Sequence, residues 1–318
     1  MRVLVTGAEG FVGGWLARRL LAEGRGGPVV GTRRPGAGPS PVLLKAEEDR
    51  IEWRDLELGS GPSVEAAVRG QWDAVFHLGA LASGSEARAD PGLAWEVNAA
   101  GTARLAEALA NQLGEAQSNP LLILVSSGEV YGLGEGKPRR ETDPTQPCSP
   151  YAASKLGAEI AALEVGRRTG LRTIVARSFP HTGPNQDVRF VAPALAQRLK
   201  AARQVGAPVI KTGNLDVIRD YLDVRDVVSA YLALFERGVP GETYNVASGE
   251  GISIASLLEK LERMVGWAVT PEPDARLIRC SEIRHLVGDA GKLRAATGWA
   301  PRIPIDRTLQ DLVNAQAS

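Results

Sequence analysis

Cysteine is scarce: the 318 residues include two, Cys148 and Cys280. Neither has a partner at metal-ligand spacing, so neither a disulfide framework nor a thiolate metal site is expected, and the chain suits a reducing compartment. Net charge is missing as well. Lysine plus arginine and aspartate plus glutamate both number 37, which leaves no global field to draw in nucleic acid or a membrane surface, so any anion must be held by local clusters. No apolar run approaches the roughly 20 residues of a membrane span, and the first residues enter a strand pattern without a cleavable leader. The expectation is a soluble, cytoplasmic protein with no nucleic-acid or membrane partner. No internal repeat is present, and the length suffices for one large domain or two intimate ones around a substantial core.

What the chain does contain is punctuated by glycine. Residues 2–5 form a short apolar strand, followed by Thr6-Gly7-Ala8-Glu9-Gly10-Phe11-Val12-Gly13 and an amphipathic helical pattern closed by Gly24. Strand, Gly-x-x-Gly-x-x-Gly and helix in succession predict a dinucleotide-binding turn. Its glycines permit a tight bend and close backbone approach, and the helix N-terminus faces a pyrophosphate. Gly7, Gly10, Phe11, Val12 and Gly13 are therefore candidate cofactor contacts.

The second strand, residues 29–32, ends in Arg33-Arg34. A guanidinium fork suits a ribose 2′-phosphate, whereas an acidic residue here would suit the free hydroxyl, so NADP is favoured and NAD remains possible. A third strand, 51–56, places Asp55 and Leu56 near the adenine. A fourth, 74–78, is followed by Gly79-Ala80, which leaves Leu78 and Ala80 beside the cofactor's phosphates and ribose. His77 is expected to pack beneath the sheet.

Residues 121–125 read as a fully buried parallel strand that stops at Ser126-Ser127. In open α/β sheets, ligands bind at that carboxyl end. Downstream, Tyr151 and Lys155 are four apart in an Ala-rich helical segment, one turn apart on one face. A phenol with pKa ~10 is a poor proton donor or acceptor at neutral pH, and an adjacent ammonium brings it toward the working range. With Ser127 holding the same oxygen, the set suits proton transfer at a carbonyl or alcohol while a hydride moves at its carbon. Alanine-rich helices near 98–111 and 151–165 suit close packing against symmetry mates in a homodimer. Together these elements predict an α/β, Rossmann-type doubly wound parallel sheet over 1–178, rejoined by 214–248, with a smaller substrate-binding lobe made of 179–213 and 249–318.

The whole chain resembles the extended short-chain dehydrogenase/reductase superfamily, in its nucleotide-sugar branch. The marks are Gly7-x-x-Gly10-x-x-Gly13, Ser126-Ser127-Gly128-Glu129-Val130-Tyr131-Gly132 and Tyr151-x-x-x-Lys155. Three further stretches are similar to the GDP-mannose group: His181-Thr182-Gly183-Pro184-Asn185-Gln186, Gly213-Asn214-Leu215-Asp216-Val217-Ile218-Arg219-Asp220 and Val287-Gly288-Asp289. The resemblance implies that Tyr151 protonates a C4 oxygen, that Lys155 lowers the phenol pKa and holds the nicotinamide ribose, and that Ser127 orients the ketone. It also implies that His181, Asn185, Arg219, Arg279 and Glu282 meet a nucleotide sugar. Two departures bear on the sugar: Pro180 stands where the group has asparagine, and Arg279-Cys280-Ser281-Glu282 stands where Arg-Pro-x-Glu is common.

The reaction expected is NADPH-dependent reduction of a 4-keto-6-deoxy nucleotide sugar, with GDP as the favoured nucleotide. Glu129 keeps a second reading open, because a 4,6-dehydratase would use a glutamate there as a base. A 4-epimerase would use the same triad, and a silent dinucleotide or nucleotide-sugar sensor is the alternative outside enzymes.

Overall fold

The computed structural model describes residues 1–24, 27–113, 119–134, 136–278 and 283–315. Its central sheet has seven strands: β1 (Val3–Thr6), β2 (Val29–Arg33), β3 (Ile51–Asp55), β4 (Ala74–His77), β5 (Leu121–Ser127), β6 (Arg172–Ser178) and β7 (Thr243–Val246). They are ordered β7-β6-β5-β4-β1-β2-β3, and every adjacent pair is parallel. The chain thus winds outward from β1 in one direction, returns, and winds outward in the other. The reversal between β1 and β4 opens a crevice at the strands' carboxyl ends.

Both faces of the sheet are covered at its centre, which is why β1, β4 and β5 run mostly apolar and buried instead of alternating, whereas the edge strand β3, Ile51-Glu52-Trp53-Arg54-Asp55, carries polar residues. Val3 and Val5 point to one face with Phe76, Ile123 and Ile174, and meet helices α1 (Phe11–Glu23) and, late in the chain, residues 224–237. Leu4 points to the other, with Val75, Leu122, Leu124 and Val175, against α2 (Gly101–Ala110) and α3 (Pro150–Thr169). A third apolar core lies outside the sheet. It joins α4 (Val191–Val205), α6 (Ile254–Val265) and α7 (Ile305–Ala315), while α5 (Val224–Arg237) returns to the sheet.

Small sheets tie the two parts together. Ile218–Asp220 pairs antiparallel with Gly251–Ser253 and parallel with His285–Leu286. Asp220, fully buried, accepts the backbone N–H groups of Ser248 (2.9 Å), Gly249 (2.9 Å) and Gly288 (3.2 Å) and the Ser248 hydroxyl. One carboxylate thereby fixes the segment after β7 to the 283–288 region. Burial raises its pKa, and the four donors oppose that rise.

Two expected helices differ in extent. The segment near 98–109 starts as a π-turn, Trp95–Ala100, before α2. The Tyr151 helix runs on to Thr169, because Ser149 caps its start through Ala152 N–H (3.1 Å) and Gly170, at φ 83°, provides the left-handed stop. Among the described residues no helix is long and apolar enough to cross a membrane.

Candidate active site

The glycine turn is shaped by backbone contact. Gly7 sits at φ +69°, and a Cβ there would stand 2.9 Å from Gly79 N. A Cβ on Gly13 would stand 2.1 Å from the Gly7 carbonyl oxygen. Gly10 is the N-cap of α1 and contributes no side-chain cap, and the first turn holds no acidic residue. The uncapped N–H groups and the space where a side chain would be make a cradle for a pyrophosphate. The residues present therefore fit a nicotinamide dinucleotide.

Beside the cradle, Thr6 Oγ1 accepts N–H bonds from Leu78 (3.1 Å) and Gly79 (3.0 Å), so its own proton goes to His77 Nδ1 (2.7 Å). Thr102 donates to the Asn98 carbonyl (2.6 Å) and accepts from His77 Nε2 (3.0 Å). These bonds fix a neutral imidazole carrying its proton on Nε2. Burial, then the Lys155 charge, push its pKa down to about 3, so His77 is structural and does no acid or base work near neutrality.

At the end of β2, Arg33 Nε lies 3.5 Å from Asp55 and its guanidinium stacks 5.7 Å from the Trp53 ring centre. The Leu56 N–H donates to the Arg33 carbonyl (2.8 Å). Arg34 contributes its backbone N–H, which donates to Glu9 Oε1 (3.2 Å). Glu9 Oε2 is buried without a hydrogen bond. Glu9, Arg33, Ser40 and Trp53 line a cavity of about 220 Å³. The carboxylate was not anticipated from the sequence, where Glu9 is one of the variable positions between glycines.

At the sheet's centre, Ser127 of β5 pairs in register with Ser178 of β6. The Ser127 hydroxyl accepts from Glu129 N–H (3.2 Å), starting the short 3₁₀ turn Gly128–Tyr131. The Tyr151 phenol lies near enough to this hydroxyl for the serine to favour the ionised phenol. Burial raises the Tyr151 pKa, the Glu129 carboxylate raises it further, and the Ser127 bond opposes both. Lys155, 5 % exposed, donates to the Val125 carbonyl. Burial brings its pKa down to about 8 against the raising effect of Glu159.

Burial, Glu129 and Ser127 act on the phenol. The Lys155 ammonium donates to the Val125 carbonyl, one helical turn from both Tyr151 and Glu159.

Two supporting residues were missed. Asn98, in the π-turn, accepts from Leu81 N–H (2.8 Å) and donates to the Leu81 carbonyl (3.2 Å) and to Ser154 Oγ (2.9 Å). Ser154 in turn donates to the Tyr151 carbonyl (2.8 Å). Asn98 thus locks the start of α3 to the loop after β4. A π-turn depends on an i to i+5 pairing that leaves no mark in sequence periodicity, although such turns recur at functional sites. The second is Tyr231 of α5, which shares a 2.6 Å hydrogen bond with Ser178 and whose pKa is raised by burial and, more weakly, by Tyr151.

On the far side of the crevice, the His181 ring stacks on Phe11, centroids 6.5 Å apart, and its Nδ1–H donates to the Phe179 carbonyl (3.0 Å). Trp15 of α1 donates to the Pro184 carbonyl (3.3 Å), and Asn185 adopts φ 68°. The glycine turn and the 181–185 segment are therefore packed together. Arg219 donates to the carbonyls of Ile218 (2.9 Å) and Ile283 (2.7 Å), so it anchors the strand that follows the 279–282 segment. Arg279 and Glu282 lie outside the described residues.

A doubly wound sheet with a glycine turn and a Ser-Tyr-Lys set at its carboxyl edge defines an enzyme of the short-chain dehydrogenase/reductase class. The chain belongs to the GDP-mannose 4,6 dehydratase family, whose model matches residues 4–312. It is 36% identical over 98% of its length to the GDP-6-deoxy-D-mannose reductase of Pseudomonas aeruginosa, of which 96% is covered. Among solved structures it is similar to RMD from Pseudomonas aeruginosa complexed with NADPH, at TM-score 0.83 and 32% identity, covering 100% of this chain and 99% of that one. It also matches a Thermus thermophilus UDP-glucose 4-epimerase in complex with NAD, at TM-score 0.85 and 29% identity over 100% and 99% of the chains.

The glycine packing yields a test. In Gly13→Ala the new methyl meets the Gly7 carbonyl and forces the turn open, so NADPH affinity, followed by fluorescence titration, falls at least about tenfold while far-ultraviolet circular dichroism is retained. Unchanged affinity would contradict the assignment of this turn.

Proposed function

We propose that this chain reduces the C4 ketone of a 4-keto-6-deoxy nucleotide sugar, with GDP-4-dehydro-6-deoxy-D-mannose as the favoured substrate. The observation that carries this reading is the Ser127 hydroxyl at the carboxyl end of β5 acting on the half-buried Tyr151 phenol, one turn from Lys155, with the glycine turn following β1 of the same parallel sheet. When bound, the dinucleotide supplies the hydride. Ser127 orients the ketone oxygen. Tyr151 donates its proton to that oxygen as negative charge develops there, and Lys155 stands one turn behind it as the local cation. Burial and Glu129 favour the protonated phenol, and Ser127 opposes them.

The dinucleotide lies along residues 1–178 with 214–248, and the sugar lies under 179–213 and 249–318; the separate apolar core of α4, α6 and α7 supports this division, while Ile283, Leu286, Ala290, Leu293 and Trp299 pack with the sheet. His181 and Asn185 border the sugar side, and Arg219 supports it through the 283 backbone. NADPH is the favoured donor because Arg33 lies at the end of β2; Glu9, in the same cavity, is the opposing group, better matched to a free ribose hydroxyl. A second reading, dehydration of GDP-mannose, is favoured by one observation: the Glu129 carboxylate is close enough to Tyr151 to act on its ionisation.

Incubation with the GDP-linked 4-keto sugar and with GDP-mannose, each with NADPH, with NADH or with neither, separates the readings. The proposal expects nucleotide oxidation with the keto sugar alone, and faster with NADPH. Keto sugar formed from GDP-mannose without added reductant would establish dehydration, and no turnover in any arm would favour the silent sensor.

The same face of the molecule supports a homodimer through helices near 98–111 and 151–165. Leu93, Trp95 and Ile160 are exposed there, and the Trp95 ring lies 2.7 Å from where a Gly157 Cβ would be. Sedimentation at micromolar concentration is expected to give twice the 33.7 kDa chain mass, and a clean monomer would overturn the dimer.

A further inference from the structure

Tyr151, Lys155 and Glu159 recur every four residues along one face of α3, yet the proposed chemistry uses only the first two. Glu159 is 2 % exposed and is among the most thoroughly bonded carboxylates in the structure. Arg177 of β6 reaches it through Nε (3.0 and 3.2 Å) and Nη2 (2.7 Å), and the Ser126 hydroxyl donates to it as well. Arg177 Nη1 donates to the Tyr131 hydroxyl (3.0 Å), which donates to Asn245 Oδ1 (2.7 Å). Asn245 Nδ2 in turn donates to the carbonyls of Arg139 (2.8 Å) and Asp289 (3.2 Å).

Stability is a poor explanation for such a pair. A buried ion pair gains little or nothing over well-packed apolar residues of the same volume, because desolvation cancels most of the attraction. A buried ammonium one turn away is a different matter, since without a counter-charge it sheds its proton. The groups around Lys155 narrow the choice. His77 faces it from β4 and is neutral; β5 offers the Val125 carbonyl; Tyr151 on its own helix holds its proton; Arg177 lies behind the Glu159 carboxylate. Glu129 acts on the phenol. Among the described residues the negative charge acting on Lys155 comes from Glu159.

We infer that Glu159, clamped by Arg177 and Ser126, is a positioning residue that keeps the buried Lys155 ammonium charged behind Tyr151. The clamp prevents the carboxylate from turning toward solvent, and its route through Tyr131 and Asn245 fixes it to the segment that carries Gly288 and Asp289. The inference rests on the proposed reaction only for its kinetic arm.

The sign follows from the opposing influences on Lys155. Its cation is lost as pH rises through about 8, and removing Glu159 leaves burial unopposed and moves that loss to lower pH. Two variants test it: Glu159→Gln, and Glu159→Gln combined with Arg177→Met, which leaves no unpaired guanidinium in the core and so protects against failure to fold. Competitive labelling of Lys155 with acetic anhydride across pH, read by mass spectrometry, gives its titration midpoint without any substrate. The alkaline limb of kcat/KM for NADPH oxidation gives it during turnover. In Glu159→Gln the midpoint is expected to fall by about one pH unit, which is a tenfold change in the ammonium to amine ratio, and by less in the double variant. The alkaline limb should move with it, and Glu159→Asp should restore most of the shift.

A midpoint within about 0.3 unit of wild type in both folded variants, or an activity loss equal at every pH, would overturn the inference and leave Glu159 a packing residue. Failure of the proposed reaction looks different: the wild type would not oxidise NADPH with the keto sugar, while the labelling midpoints would still shift.

Discussion

The Ser127 hydroxyl at the carboxyl end of a central strand and the Tyr151 phenol in the first turn of the longest helix are brought close enough for the serine to act on the phenol's ionisation. Much of the surrounding structure holds those two groups where they are. Ser127 is fixed by the strand register and by the Glu129 N–H. Tyr151 is fixed by the Ser149 cap and by the Asn98–Ser154 link to the neighbouring π-turn. A hydroxyl pair of this kind directs a proton only when it is held to a fraction of an ångström, and loops alone do not provide that.

The same burial that positions the groups also sets their charges. It favours the protonated Tyr151, holds His77 neutral, and lowers the Lys155 pKa against the opposing effect of Glu159. Each consequence favours a proton donor beside a fixed cation, the electrostatic state that reduction of a ketone requires. Polar groups below the sheet edge are satisfied within closed networks, as in Thr6–His77–Thr102 and Glu159–Arg177–Tyr131–Asn245.

Much of this architecture was legible in the sequence, for local reasons. Continuous apolar runs marked strands covered on both faces, glycines three apart marked the cofactor turn, and a Tyr-x-x-x-Lys step on an Ala-rich helix marked one face of α3. What stayed hidden depends on partners far apart in the chain. Arg219 reads as a free cation in a neutral protein, yet it is bonded to the carbonyls of residues beside it and near 283. The lysine's engagement with the Val125 carbonyl follows from how deep α3 sits against β5. Glu9 occupies a position the glycine pattern leaves unspecified, and its place in the cavity beside Arg33 emerges only when β2 and the turn are side by side. The π-turn at Asn98 escaped because hydrophobic spacing cannot tell it from an ordinary helix.

The central claim is that the Tyr151 hydroxyl delivers the proton. Tyr151→Phe removes that one oxygen from a ring whose packing is otherwise kept, so kcat for reduction of the keto sugar should fall by roughly 10²- to 10⁴-fold while the Kd for NADPH stays within about twofold of wild type. Turnover within a few-fold of wild type, with the cofactor bound as before, would contradict the account.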